Sequence, residues 1–290
     1  METHTLELDG VDLVYDVHGP LPIADGRPPL VLIGQPMDAS GFSALVAQLT
    51  DRTMVTYDPR GLGRSVRKDG RADHDPVVQA EDVHAVIEAL GAGRVDMFAS
   101  SGGAVTALAL VAAHPSAVRT LVAHEPPLIA LLPDADAVFR ASELVAARYD
   151  EAGWGAGMAS FIAQTSWQGE LDDAYFEQPP PDPATFGLPA EDDGSRDDPL
   201  LSDRSSDVAR YRPDVAALTA APTRVVLAVG EESRDVVTGR CAIAAAELLG
   251  QDVTVFPSHH GGFMGGEHGY AGQPEAFAAR LREVLDGTPA

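Results

Sequence analysis

Apolar and polar positions along this chain recur at two periods, and the chain switches between them from end to end. Thr5–Leu8 and Val11–Val17 alternate apolar with polar residues around Asp9-Gly10, the pattern of an antiparallel hairpin. Leu30-Val31-Leu32-Ile33 is a continuous apolar run, as in a strand buried on both faces. Further strand-type runs fall at Thr53–Tyr57, Val95–Ala99, Arg119–Ala123, Arg224–Val229 and Val253–Phe256. Between them, Phe42–Leu49, Val77–Leu90, Ala104–Ala113, Val236–Leu249 and Pro274–Leu285 carry helical spacing. In the second of these, Val83, Val86, Ile87 and Leu90 share one face. Strands alternating with helices predict an α/β protein: a mostly parallel, eight-stranded sheet flanked by helices on both faces.

The alternation breaks between residues 128 and 221. Two helical stretches, Ala135–Glu151 and Gly155–Trp167, are followed by Pro- and Asp-rich sequence such as Glu177-Gln178-Pro179-Pro180-Pro181-Asp182-Pro183, which resists regular structure. This divides the chain into a core of residues 1–127 and 222–290 with a helical cap at 128–221. Aromatics are dense in the cap, so Trp154 and Trp167 are expected to roof an apolar pocket.

Composition narrows the function classes. With 44 acidic against 20 basic side chains the formal charge is −24, which disfavours nucleic acid and anionic membrane as partners. A single cysteine, Cys241, removes any disulfide framework and suits a reducing, cytoplasmic setting. No apolar run reaches membrane-spanning length, and Met-Glu-Thr-His-Thr is no export leader. Nothing in the spacing implies a metal or cofactor: there is no Cys/His ligand pattern, no P-loop and no GxGxxG. A homodimer is left open.

The chemistry-bearing motifs sit at strand ends. Val95–Ala99 runs into Ser100-Ser101-Gly102-Gly103 and then directly into a helix, the pattern of a nucleophile elbow. The residues two before and two after the serine, Ala99 and Gly103, are small, as so sharp a turn requires. Ser101 is the candidate nucleophile, and the N–H of Gly102, at a helix N-terminus, the candidate oxyanion donor. A serine hydroxyl needs a base. His259 and His260 follow the last strand, and His260 is preferred because Gly261-Gly262-Phe263 supplies flexibility and an apolar anchor behind it; His268, further on, reads as pocket-lining or exposed. His4, His18, His74, His84, His114 and His124 read as solvated or structural. Two acids compete to orient the base: Glu125, fixed between the strand end and Pro126-Pro127, and Glu232 after the seventh strand, where Ser233 occupies the Gly-x-x-Asp position. The loop Gly34-Gln35-Pro36-Met37 follows the third strand, where the N–H of Gln35 is expected to be the second oxyanion donor. Gly34, Pro36, Met37, Ser100 and Phe263 complete the expected pocket lining. Asp58-Pro59-Arg60-Gly61-Leu62-Gly63-Arg64-Ser65 reads as a bracing segment.

In order and type these motifs resemble the α/β-hydrolase superfamily. Ser100-Ser101-Gly102 followed by His124-Glu125-Pro126-Pro127 resembles the zearalenone lactonase group in particular. That resemblance implies a cofactor-free serine hydrolase of small esters or lactones, with Ser101, His260 and Glu125 as triad. The chain departs from the group at Gly261-Gly262, at the first oxyanion loop and in its acidic cap. Haloalkane dehalogenases and typical epoxide hydrolases of this fold would carry aspartate at position 101. C–C bond hydrolysis and cofactor-free perhydrolysis use the same triad and stay open, as does a non-catalytic ligand-binding protein.

Overall fold

The computed structural model describes residues 1–21, 26–202, 204, 206–266 and 271–287. The strands are β1 (Glu2–Leu8), β2 (Val11–His18), β3 (Leu30–Gln35), β4 (Met54–Tyr57), β5 (Val66–Arg67), β6 (Val95–Ser101), β7 (Val118–His124), β8 (Arg224–Gly230) and β9 (Thr254–Phe256). They form one sheet in the order β1-β2-β4-β3-β6-β7-β8-β9, with β5 paired to β2. The pairings of β2 with β1, β4 and β5 are antiparallel; from β4 across to β9 every pairing is parallel. The expected eight strands are thus nine among the described residues. The extra one, β5, is only two residues long, too short for any periodicity to announce it.

The helices are α1 (Ser43–Gln48), α2 (Pro76–Leu90), α3 (Gly102–Ala113), α4 (Ala135–Ser166), α5 (Asp173–Phe176), α6 (Ser206–Arg210), α7 (Val215–Ala220), α8 (Val237–Leu248) and α9 (Pro274–Leu285). Strand alternation distributes the core. Val31 and Ile33 of β3 face the cluster that holds α2 and α3, while Leu30 and Leu32 face the one built with Phe42, Leu45, Phe277 and Leu281. α3 is buried along its length from Gly102 to Val111, which explains why its sequence is apolar on all sides.

The inserted segment between β7 and β8 holds α4 to α7. Its two expected helices are one run, Ala135–Ser166, broken at Gly153 (φ 83°, ψ −174°). A Cβ at Gly153 would lie 2.4 Å from Asp192 Oδ1, so this break is specific to glycine. The bracing segment behaves as expected. Asp58 accepts from Ala39 N–H (2.9 Å) and from Arg64 Nε (2.6 Å), and Arg60 is bidentate to Asp82 at 2.6 Å on both arms. No described helix is long and apolar enough to cross a membrane.

Candidate active site

Parallel register brings the chemistry to one edge. Gln35 of β3 pairs with Ser101 of β6, Ser100 with His124 of β7, and His124 with Ala228 of β8. The loops that leave these strands therefore open on the same C-terminal edge, where α/β sheets place their ligands.

Ser101 adopts φ 57°, ψ −131° and is followed at once by α3. Such a conformation costs a non-glycine residue about 1–3 kcal/mol and persists only where the surroundings enforce it. The enforcement is visible at Gly103. A Cβ there would stand 2.8 Å from both Gly34 Cα and Ile33 O, so β3 and α3 meet closely only because the position is glycine. The turn leaves the N–H of Gly102 at the helix N-terminus.

Glu125 follows β7 at φ 46° and is fully buried. Its Oε2 accepts from His260 Nδ1 and from Thr238 Oγ1, both at 2.7 Å, and its Oε1 accepts from Gly230 N–H at 2.8 Å. Burial alone would push this carboxyl up. The hydrogen bond and charge of His260, the nearby His124 ring and the Thr238 hydroxyl outweigh it and hold the group well below the usual carboxylate range. Glu232 is exposed on the loop after β8, and the His260 ring is not among its partners. The His259 ring turns elsewhere, with Nε2 on Ala271 O (3.0 Å) and Nδ1 accepting from Gly261 N–H (3.1 Å). His268 lies outside the described residues. With Nδ1 committed to Glu125, His260 keeps Nε2 for other work. Ser101 and His260 share no hydrogen bond among the described residues; such contacts are commonly long before substrate arrives.

Of the two readings open for His124, solvated or structural, the structure places it as structural. It is fully buried, with Nδ1 3.2 Å from Ser100 Oγ, Nε2 3.7 Å from Glu125 Oε1, and its ring stacked 6.0 Å from that of His260. Its position, directly before the candidate acid at a buried strand end, was the signal in the sequence. Thr238 and Val208 gave no such signal. Val208 of α6 reaches over the elbow, its Cγ1 3.3 Å from where a Cβ on Gly102 would be.

Burial holds His124 at about 4, against an ordinary value of 6.5. The unfolded chain takes up this proton first as pH falls, so the associated stability is full above pH 6.5 and drains away between 6.5 and 4. His74, also held at about 4 by burial, acts in the same direction. Urea unfolding should therefore show a loss of about 2 kcal/mol from His124 alone between pH 7 and pH 5. Equal stability at those two pH values would contradict the assignment of His124 as a buried neutral imidazole.

The expected pocket lining is redrawn in several places. Ser100 is buried and spends its hydroxyl on His124. Phe263 is an anchor rather than a wall: it stacks on Phe42 (5.3 Å) and meets Phe98 edge-on (5.4 Å) in the core below the sheet edge. Trp154 donates to Asp198 Oδ2 (2.9 Å) and packs with Val145, Tyr149 and Leu201, while Trp167 donates to Glu170 O (3.1 Å) and packs with Tyr175. Trp154 packs within the inserted segment, and Trp167 packs where that segment meets Val237 and Cys241 of α8. Gly34 is buried beneath Met37, whose Cε would touch any Cβ there at 2.6 Å; Pro36 and Met37 are partly exposed beside the elbow. Gln35 is 3% exposed, and neither carboxamide atom has a protein partner. Cys241 is buried, and burial pushes its thiol up, away from reactivity.

Two groups among the described residues converge enough ligand atoms to hold a metal ion: His124, Glu125 and His260 here, and Glu81, His84 and His114 on the far helices. In the first, the closest pair is already satisfied by its own hydrogen bond.

Residues 28–164 match the family model described as the alpha/beta hydrolase fold. The chain is 28% identical over 290 residues to the uncharacterized hydrolase YraK of Bacillus subtilis, covering 97% of this chain and 95% of that protein. Among solved structures, a thermophilic esterase from Thermogutta terrifontis superposes with a TM-score of 0.65 at 19% identity, with all of both chains covered. An alpha/beta hydrolase from Sphaerobacter thermophilus gives 0.63 at 21% identity, covering 97% of this chain and 100% of that one. At those identities the likeness is one of fold.

Proposed function

The chain has the α/β-hydrolase fold, and from that premise we propose that it is a serine hydrolase cleaving an ester or lactone of a small, largely apolar molecule through an acyl-enzyme on Ser101. The observation that carries this reading is the 2.7 Å pair of the buried Glu125 with the half-buried His260, on the same sheet edge as a serine held at φ 57°. The esterase named among the solved neighbours supports it.

In the proposed reaction His260 Nε2 takes the Ser101 proton as Oγ bonds to the substrate carbonyl carbon. The carbonyl oxygen gains charge against the N–H groups of Gly102 and Gln35, each such donor contributing about 3 kcal/mol. Collapse breaks the bond to the leaving alkoxide, which receives the proton from His260. Water then attacks the acyl-enzyme, giving its proton to His260, and the acid departs as Ser101 recovers its own. Glu125 holds His260 in the tautomer with Nδ1–H and stabilises the imidazolium formed twice per cycle. Val208 keeps the elbow apolar. The buried carboxamide of Gln35 offers one donor and one acceptor to a polar group of the substrate.

The test is hydrolysis of p-nitrophenyl acetate and a small lactone, paired with a phosphonate ester that traps serine nucleophiles. Turnover, with a stoichiometric adduct mapped by mass spectrometry to the peptide containing Ser101, is expected. An adduct elsewhere, or turnover insensitive to the trap, would reject the assignment.

A further inference from the structure

Away from the sheet edge, α2 and α3 pack side by side and bring three ligand-type side chains together. Glu81 and His84 lie one turn apart on α2, and His114 caps the C-terminal end of α3. The ligand atoms of the three all lie within 4.8 Å of one another. His114 Nε2 is 2.9 Å from Glu81 Oε1, and the rings of His84 and His114 stack with centroids 3.6 Å apart. Glu88, one turn beyond His84, brings Oε1 to 3.9 Å from His84 Nε2. The spacing Glu81, His84, Glu88 is i, i+3, i+7, so all three share the α2 face that meets His114.

We propose that Glu81, His84 and His114, with Glu88 or water as fourth ligand, form a binding site for a divalent transition-metal ion of the Zn2+ type that clips α2 to α3. Two imidazoles and a carboxylate are the donor set such ions select over Mg2+ and Ca2+, which prefer oxygen alone. Metal–ligand bonds of about 2.0–2.2 Å in a tetrahedral site separate ligand atoms by roughly 3.4 Å, between the 2.9 Å of the Glu81–His114 pair and the 4.8 Å limit that contains all three. The His84 and His114 side chains are 28% and 25% exposed, so packing holds them while part of each side chain reaches solvent. Binding swings the two rings out of their parallel stack so that both lone pairs meet one ion, and the proton His114 shares with Glu81 passes to its other ring nitrogen through solvent. The chain's charge of −24 favours arrival of a cation. An ion–carboxylate–imidazole bridge between helices would stabilise the fold without touching the reaction.

Tag-free protein stripped with chelator is titrated with ZnCl2 by calorimetry, alongside His84→Ala, His114→Ala and, as a control at the other His/Glu cluster, His260→Ala. The expected result is one Zn2+ per chain, weakened at least ~10-fold in His84→Ala and in His114→Ala but unchanged in His260→Ala, with no heat from Mg2+. The melting temperature of the wild type should rise with Zn2+, and that of His84→Ala should not. His84→Ala should retain wild-type ester hydrolysis, which shows it folded. Wild-type protein that takes up no Zn2+, or a folded His84→Ala that binds as the wild type does, overturns the proposal. So does a loss of binding seen only in His260→Ala.

Discussion

Ser101→Ala is expected to lower kcat by roughly 10^4- to 10^6-fold, the largest effect of any single substitution in this chain. The proposed acyl-enzyme needs the Oγ atom itself, and no neighbour can replace it. Ser100 is buried and hydrogen-bonded to His124. What distinguishes chemistry from structure is the backbone. Ser101 stands at φ 57°, ψ −131°, and alanine at that position keeps the same Cβ and the same strain. The melting temperature of Ser101→Ala should therefore match the wild type while turnover vanishes. Ser101→Gly removes the Cβ and with it the strain, so it should be equally inactive yet more stable by about 1 kcal/mol. Residual activity above about 1% in purified Ser101→Ala, at wild-type stability, would mean the nucleophile lies elsewhere.

Much of this site was legible because its determinants are local. The elbow is a rule about five consecutive residues, and the requirement for small side chains at Ala99 and Gly103 follows from turn geometry alone. Gly103 shows why: a Cβ there would stand 2.8 Å from Gly34 Cα. The sheet was legible because period-two alternation decides which core each side chain of β3 enters. What the sequence could not convey is through-space. Glu125 and Glu232 are both glutamates just past a strand end, and only the packing of α8 against β8 brings Thr238 and Gly230 to Glu125 while leaving Glu232 in solvent. Which partner His124 would take was hidden, because Ser100 is remote in sequence and adjacent only through parallel pairing. Trp154 and Trp167 pose the opposite problem. Aromatic density marks a hydrophobic cluster but not its address, and here the indole N–H groups are spent within the inserted segment itself. Val208, in a five-residue helix too short for any periodicity to flag, approaches the elbow at Gly102.

Glu125→Gln is the second large expectation: kcat should fall by about 10^4-fold with the fold retained, whereas Glu232→Gln should stay within about twofold of wild type. The reason lies in what surrounds the carboxylate. Gly230 N–H and His260 Nδ1 both need an acceptor, and they meet opposite oxygens of Glu125 at 2.8 and 2.7 Å. A glutamine has only one acceptor oxygen. If that oxygen faces His260, the new NH2 confronts Gly230 N–H, donor against buried donor, and stability suffers. If it faces Gly230, the NH2 confronts Nδ1, which must then give up its proton and move it to Nε2. In that tautomer His260 can no longer accept the Ser101 proton, so the enzyme folds but does not turn over. An unsatisfied buried donor costs about 1–3 kcal/mol, so the second arrangement wins and the damage falls on catalysis. The negative charge that would stabilise the imidazolium is lost as well. Glu125→Asp keeps the charge but shortens the reach, and it should recover part of the rate that Glu125→Gln loses. Measured kcat values for the three variants decide the matter. Wild-type turnover in a folded Glu125→Gln, or a collapse confined to Glu232→Gln, would transfer the orienting role to the loop after β8.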